Sequence, residues 1–262
     1  MIERRIRPPA EDLALAFDRA AFCRALGMEP DRWQKRLLRS EAPRVLLNCC
    51  RQSGKSTTSA VLALHQALYV PGSLSLVLAP SERQSKELFT KISGFYKSLG
   101  HAVPSDSNRK LGMEIANGSR IEALPGSEKT IRGFSGVSLL LVDEAARVDD
   151  GLYHAVRPML AVSGGRLVLM STPFGKRGVF FEEWTNGASW DRYEAPATEC
   201  PRISTEFLEE ERRSLGPWWF AQEYECRFME TNDQVFSHDV VDEAITTEVA
   251  PLFAAVREEG GR

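Results

Sequence analysis

Apolar residues fall along this chain in short unbroken runs, each closed by polar or turn-forming residues. Val45-Leu46-Leu47, Leu74 to Ala79 (LSLVLA), Leu139 to Val142 (LLLV) and Arg166 to Met170 (RLVLM) are such runs. Runs this short and this apolar predict parallel strands covered on both faces, since a wetted face would impose alternation. Stretches of helical spacing lie between them. One spans Glu11 to Leu26 and ends at Gly27 and Pro30; a second spans Asp31 to Arg39; a third follows Gly54 to about Tyr69. A fourth is capped by Ser81 and stops before Gly100. Met113 to Leu124 predicts a hairpin with a two-residue turn at Asn117-Gly118, and a polar loop spans Gly126 to Gly136. Strands alternating with helices predict an α/β fold, a mainly parallel sheet with helices on both faces.

Beyond Asn186 the pattern changes. Trp190 to Ala195 predicts one more strand, and Ser204 to Phe228 two helices separated by Gly216-Pro217. That portion reads as a small helical lid whose core holds Trp218, Trp219 and Phe220. The expected division is therefore N-terminal helices (1–40), an α/β core (41–190), the lid (191–232) and a C-terminal tail (233–262).

The first strand runs into RQSGKST, Arg51 to Thr57. Strand, tight loop, Gly-Lys-Ser and helix form a phosphate-cradling P-loop, in which loop N–H groups and the helix dipole face an anion. Lys55 is expected to reach the β- and γ-phosphates and the Ser56 hydroxyl to ligate Mg²⁺. Gln52, Ser53, Gly54 and Thr57 complete the nucleotide-binding loop. Cys49 stands where the usual pattern begins with Gly. The run LLLV is followed by Asp143-Glu144 at a strand's C-terminal end, the edge where open α/β sheets bind ligands. Asp143 is expected to hold Mg²⁺ through water, and Glu144 to polarise the attacking water as general base. A protein that only bound nucleotide would have no use for Glu144. Ser171 and Thr172, closing the next strand, are expected beside the γ-phosphate as coupling groups that sense its loss. Trp33-Gln34 precedes the loop, and a Gln amide can donate to and accept from an adenine edge, favouring ATP over GTP. Arg51 and Arg132 are candidate charge stabilisers.

Composition narrows the alternatives. A formal net charge of −3 excludes a uniformly basic nucleic-acid binder, so contact with DNA requires a local patch or a ring of subunits. Five cysteines, with no paired zinc spacing, point to a reduced cytoplasmic protein. No apolar run approaches membrane-spanning length, and the four histidines show no metal spacing.

An ordered set of motifs resembles the N-terminal ATPase domain of viral genome-packaging terminase large subunits. The set is DRWQ (Asp31 to Gln34), CRQSGKST (Cys50 to Thr57), IRG (Ile131 to Gly133), LLLVDEA (Leu139 to Ala145), STPFGKRG (Ser171 to Gly178) and WFAQEYECRF (Trp219 to Phe228). The resemblance implies a P-loop NTPase of the RecA-like, additional-strand kind that binds ATP and Mg²⁺ and drives translocation of double-stranded DNA. It further implies a homo-oligomeric ring, commonly of five subunits that are monomers in isolation, with a portal protein and a small terminase subunit as partners. Under it Gln34 contacts adenine, Thr172 belongs to a coupling motif, and Arg132 matches an arginine finger offered to the neighbouring subunit. Full-length members continue into a nuclease near Val235 to Ala244, so no nuclease activity is expected of these residues. A helicase-like ATPase and a non-hydrolysing ATP-binding assembly module are the competing readings.

Overall fold

The computed structural model describes residues 8–100, 103–125, 131, 133–187, 189–230 and 244. Contacts divide the chain into one unit from Met1 to Met229 and another from Glu230 to Arg262. The second unit, which contains the whole of the expected tail, lies almost entirely outside the described residues.

The first unit is built on one eight-stranded sheet among the described residues, ordered β3-β4-β5-β2-β6-β7-β1-β8. The strands are β1 (Arg44–Cys49), β2 (Leu74–Ala79), β3 (Ser105–Arg109), β4 (Gly112–Ile115), β5 (Arg120–Pro125), β6 (Leu139–Asp143), β7 (Arg166–Ser171) and β8 (Asp191–Ala195). The six strands from β5 to β8 across the sheet are mutually parallel, and β4 and β3 add antiparallel at one edge. The helices are α1 (Pro9–Phe17), α2 (Arg19–Ala25), α3 (Arg32–Arg39), α4 (Lys55–Tyr69), α5 (Glu82–Ser98), α6 (Asp150–Ala161), α7 (Gly178–Thr185) and α8 (Thr205–Tyr224).

The pleat explains the unbroken apolar runs. Val45, Leu47, Leu139, Leu141, Val168 and Met170 join a core shared with α2 to α5. Their chain neighbours Leu46, Leu140, Val142, Leu167 and Leu169 join a second core on the opposite face with α6 and α7. Each strand buries both sides, so no position along it is left for water to select as polar. A third, smaller core gathers Cys50, Ala197, Cys200, Phe220, Tyr224 and Cys226 beneath the lid helix α8.

Several local expectations change. The helix expected from Glu11 to Leu26 is two helices, because Asp18 is extended (φ −125°, ψ 99°) and its carboxylate accepts from the Ala20 N–H at 2.9 Å, capping α2. Nothing in α1 is buried, and Leu13 and Phe17 are exposed. The hairpin turn is longer than two residues: the Ile115 N–H donates to the Ser119 carbonyl, and Gly118 sits inside at φ 83°. In the lid, Phe220 is buried but Trp219 is half exposed, so the two tryptophans are not its core. Gly216 (φ 76°, ψ 167°) and Pro217 break α8 into two helical segments, as the sequence predicts. Among the described residues no helix is long and apolar enough to cross a membrane.

Candidate nucleotide site

Three adjacent strands, β6, β7 and β1, end side by side, and each delivers polar residues from its C-terminal end. Register places Asp143 opposite Met170 and Asn48 opposite Ser171, so the loops after these strands open at one level. From β1 the chain turns through Gln52 (φ 61°) and Gly54 (φ 93°) into α4. Positive φ at Gly54 lets the loop close onto the helix N-terminus, a conformation that costs a side-chain-bearing residue about 1–2 kcal/mol.

Five predicted residues meet there. Lys55 Nζ lies 3.0 Å from Glu144 Oε1 and donates to Thr172 Oγ1 at 3.3 Å. The Ser56 hydroxyl donates to Asp143 Oδ2 at 2.8 Å, and Asp143 Oδ1 accepts from the Glu144 N–H at 3.0 Å. Glu144 itself is left-handed (φ 50°, ψ 43°), a strained backbone for a non-glycine residue of the kind found at functional sites. Ser171 stands apart from its neighbour Thr172. Its hydroxyl donates to the Thr172 carbonyl at 2.7 Å and accepts from the Ala146 N–H at 3.2 Å, bracing the turn after Glu144.

Burial sets the electrostatics. Desolvation pushes the Asp143 carboxyl above its ordinary value, opposed by the Lys55 ammonium. Desolvation pulls Lys55 down, but the charges of Glu144 and Asp143 outweigh it and hold the ammonium above its ordinary value. The result is a dry ammonium fixed between two carboxylates. Ser56 and Asp143 offer hard oxygen donors 2.8 Å apart, a set that suits Mg²⁺ sharing its remaining positions with phosphate and water.

A cavity of about 320 Å³ opens on the other side of Gly54, lined in part by Cys23, Met28, Gln34, Thr57, Val61 and Arg202. Asp31 caps α3, and Gln34 Oε1 accepts from the Asp31 N–H at 2.8 Å, a capping box that fixes the amide orientation. Its Nε2 is thereby aimed at Gly54, ending 2.8 Å from where a Cβ there would sit. Trp33 points the other way, into the main core.

The flanking arginines divide. Arg51 is exposed, with its Nη1 3.8 Å from the buried Glu223 carboxylate of α8, while its N–H donates to the Glu223 carbonyl at 2.8 Å. Arg132 lies outside the described residues. Arg147, Glu223 and Arg202 are not singled out by the sequence pattern. Arg147 lies 3.8 Å from Glu144, 4.0 Å from Glu223, and over the Phe174 ring at 4.2 Å. Its spacing of three from Glu144, just past the acidic pair, is a usable signal; Glu223 and Arg202 have none, since only the fold brings them near.

Comparison with known proteins follows the same outline. The family model for the terminase large subunit, T4likevirus-type, N-terminal, matches residues 46–240. The terminase large subunit of Thermus phage G20c is 25% identical over 252 residues, covering 82% of this chain and 52% of that protein. The corresponding protein of Escherichia phage T5 is 26% identical over 195 residues, covering 71% and 44%. The chain thus spans about half the length of the curated relatives it matches. Among solved structures, the ATPase domain of the large terminase of Thermus phage P74-26 superposes with a TM-score of 0.70 at 23% identity, over 79% of this chain and 97% of that one. The large terminase of a thermophilic bacteriophage, in complex with ATP-gamma-S, gives a TM-score of 0.64 at 12% identity, over 76% and 53%. The fold is therefore that of these ATPase domains, and the chain belongs to the family of terminase large subunits of T4-like-virus type, matching its N-terminal part.

Proposed function

We propose that this chain is the ATP-hydrolysing motor part of a DNA-packaging terminase. One observation carries the reading: a buried lysine, a hydroxyl–carboxylate pair and a second carboxylate within 3.0 Å of that lysine share one strand-end site. Ser56 and Asp143 would hold Mg²⁺, which neutralises phosphate charge when bound. Lys55 would leave Glu144 for the β- and γ-phosphates, and the freed carboxylate would accept a proton from water attacking the γ-phosphorus. The bond to the β-phosphate oxygen breaks, releasing ADP and phosphate. Gln34 Nε2 would donate to a ring nitrogen of the base, and its Oε1 keeps one lone pair for an exocyclic amine. Thr172, bonded to Lys55, would register the lysine's departure and pass it to β7.

The family supports double-stranded DNA as the track, with a portal protein and small subunit as partners, and a ring of several copies of this chain. In that ring Arg132 would reach a neighbour's phosphates. The deciding experiment is phosphate release with and without double-stranded DNA, run on the parent and on Glu144→Gln. A motor hydrolyses ATP faster with DNA and stops in the variant. Equal rates in both proteins would sink the acid-pair assignment, and absence of hydrolysis in both would leave a nucleotide-binding assembly module.

A further inference from the structure

We propose that Arg202 reads the base of the nucleotide, forming with Gln34 a two-residue purine clamp beside Gly54. The proposal rests on the nucleotide-binding reading above and deepens it by assigning a residue to the base end that lies far from every motif in the sequence. Arg202 belongs to the short segment between β8 and α8, so it approaches the phosphate loop from the lid side.

Its guanidinium is anchored at two points. Nη1 donates to Asp31 Oδ1 at 2.8 Å and Nη2 donates to the Ser53 carbonyl at 2.9 Å, with Nη2 also 2.7 Å from Asp31 Oδ2. Asp31 is the cap of the helix that carries Gln34, and Ser53 precedes Gly54 in the loop. One flat cation therefore fixes the base-side helix and the phosphate loop in a single frame. Nη2 then ends 3.3 Å from the Cβ position of Gly54, next to Gln34 Nε2 at 2.8 Å. Two donors from opposite ends of the chain converge where the cavity meets the loop.

The chemistry of the cavity fits a purine. Met28, Val61 and the methyl of Thr57 supply apolar wall, and Gln34 Nε2 supplies a donor for a ring nitrogen. The Arg202 side chain is 49% exposed, so its bonds to Asp31 and Ser53 leave guanidinium surface for an aromatic ring to cover. Asp31 is the buried end of this pair, 8% exposed, so a neutral replacement of Arg202 strands its carboxylate and costs stability as well. Arg202→Lys keeps a charge beside it, and what that exchange should move is base affinity.

The test compares a ligand that has a base with one that has none. Binding of Mg-ADP and of Mg-pyrophosphate is measured by calorimetry on the whole chain for the parent, Arg202→Lys, Arg202→Gln and Asp31→Asn. Lysine keeps the charge but loses the planar fork, so Arg202→Lys should weaken ADP about tenfold while pyrophosphate stays within about twofold. Arg202→Gln should weaken ADP at least as much, and Asp31→Asn, which loosens the anchor, should show the same selective loss to a smaller degree. Equal weakening of both ligands would mean that Arg202 acts only by shaping the phosphate loop, and no weakening of either would make it a surface ion pair; each result overturns the clamp while nucleotide binding stands. A parent that binds neither ligand would bring down the nucleotide reading and the clamp together. Should Arg202→Gln fail to fold, Arg202→Lys with Asp31→Asn decides the matter alone.

Discussion

Lys55 and Glu144 are bonded to each other, Nζ to Oε1 at 3.0 Å, with the lysine side chain only 9% exposed. Under the proposed function, the group assigned to phosphate and the group assigned to water neutralise one another until a nucleotide arrives. In that reading a ligand phosphate competes with a partly exposed carboxylate for the same ammonium, and success frees the carboxylate for water. Each substitution at this pair therefore acts in two places.

Glu144→Gln should lower kcat for ATP by about 10²–10⁴-fold, the range of a lost general base. Its Kd for ATP should be equal to or tighter than the parent's, because Lys55 loses the anionic partner bonded to it and keeps only the charge of Asp143 nearby. Lys55→Ala should lose both binding and turnover. Nucleotide titration beside steady-state phosphate release separates the two; weaker binding in Glu144→Gln would show that the pair does not compete with ATP.

Asp143→Asn should be more stable than the parent in the absence of Mg²⁺. Desolvation raises the Asp143 carboxyl, so the folded state favours its neutral form. A carboxyl raised on folding adds stability below its unfolded value, near 3.9, and loses it as pH rises through the folded value. At neutral pH its ionisation is therefore a cost that the amide avoids. The same variant should hydrolyse Mg-ATP about 10²-fold or more slowly, having lost the metal's carboxylate. Thermal melts with and without Mg²⁺ check both halves, and an unchanged or lower metal-free Tm would contradict the first.

Gln34 has two jobs that two substitutions can part. Gln34→Glu retains an acceptor for the Asp31 N–H and so keeps the capping box, but it removes the Nε2 donor from the base. Its Tm should stay close to the parent's while KM for ATP rises and the preference for ATP over GTP narrows. Gln34→Ala loses both functions, with hydrogen bonds to a base edge worth about 1–1.5 kcal/mol each and the cap about 1 kcal/mol. An unaltered nucleotide preference in Gln34→Glu would confine the residue to capping.

Acid should destabilise the fold through His65. Burial holds its imidazole down to about 4, and Nε2 bonds the Leu15 carbonyl at 3.0 Å, so the ring is neutral with the proton on that nitrogen. A histidine depressed on folding supports stability above its unfolded value, near 6.5, and withdraws it as pH falls toward the folded one. The loss between those limits amounts to about 3 kcal/mol. Urea melts from pH 7 to 4 should show this slope, and His65→Gln should flatten it.

Arg132→Ala should bind ATP normally and hydrolyse it about 10³–10⁵-fold more slowly if it supplies a finger to the next subunit. Mixed with Glu144→Gln under ring-forming conditions, it should recover part of the parent rate, because an intact site then meets an intact arginine. A mixture no faster than either variant alone excludes action between subunits.

What the sequence reveals follows from locality. The apolar runs are readable because both faces of β1, β2, β6 and β7 are buried, and the chemistry at their ends is readable because Lys55-Ser56 and Asp143-Glu144 each occupy consecutive positions. The break at Asp18 is hidden, since the apolar spacing continues across it and only the carboxylate's competition for the Ala20 N–H ends the helix. Helix α6 escapes the pattern although Leu152, Val156 and Leu160 follow helical spacing, with Pro158 obscuring the signal. Arg202 and Glu223 are beyond reach for a different reason: their significance lies in partners such as Ser53 and Arg51, more than a hundred positions away.

The bond from the Arg51 N–H to the Glu223 carbonyl, with those from Cys50 N–H to Ala195 and from the Asn48 amide to Cys226, bears on the order of assembly. These bonds close chain segments spanning most of the unit, so each needs β8 or the α8 end to have returned beside β1. The phosphate loop therefore depends for its shape on chain more than a hundred positions downstream. During synthesis its own residues emerge well before Ala195, Glu223 and Cys226, so its final hydrogen bonds wait for the far end of the unit.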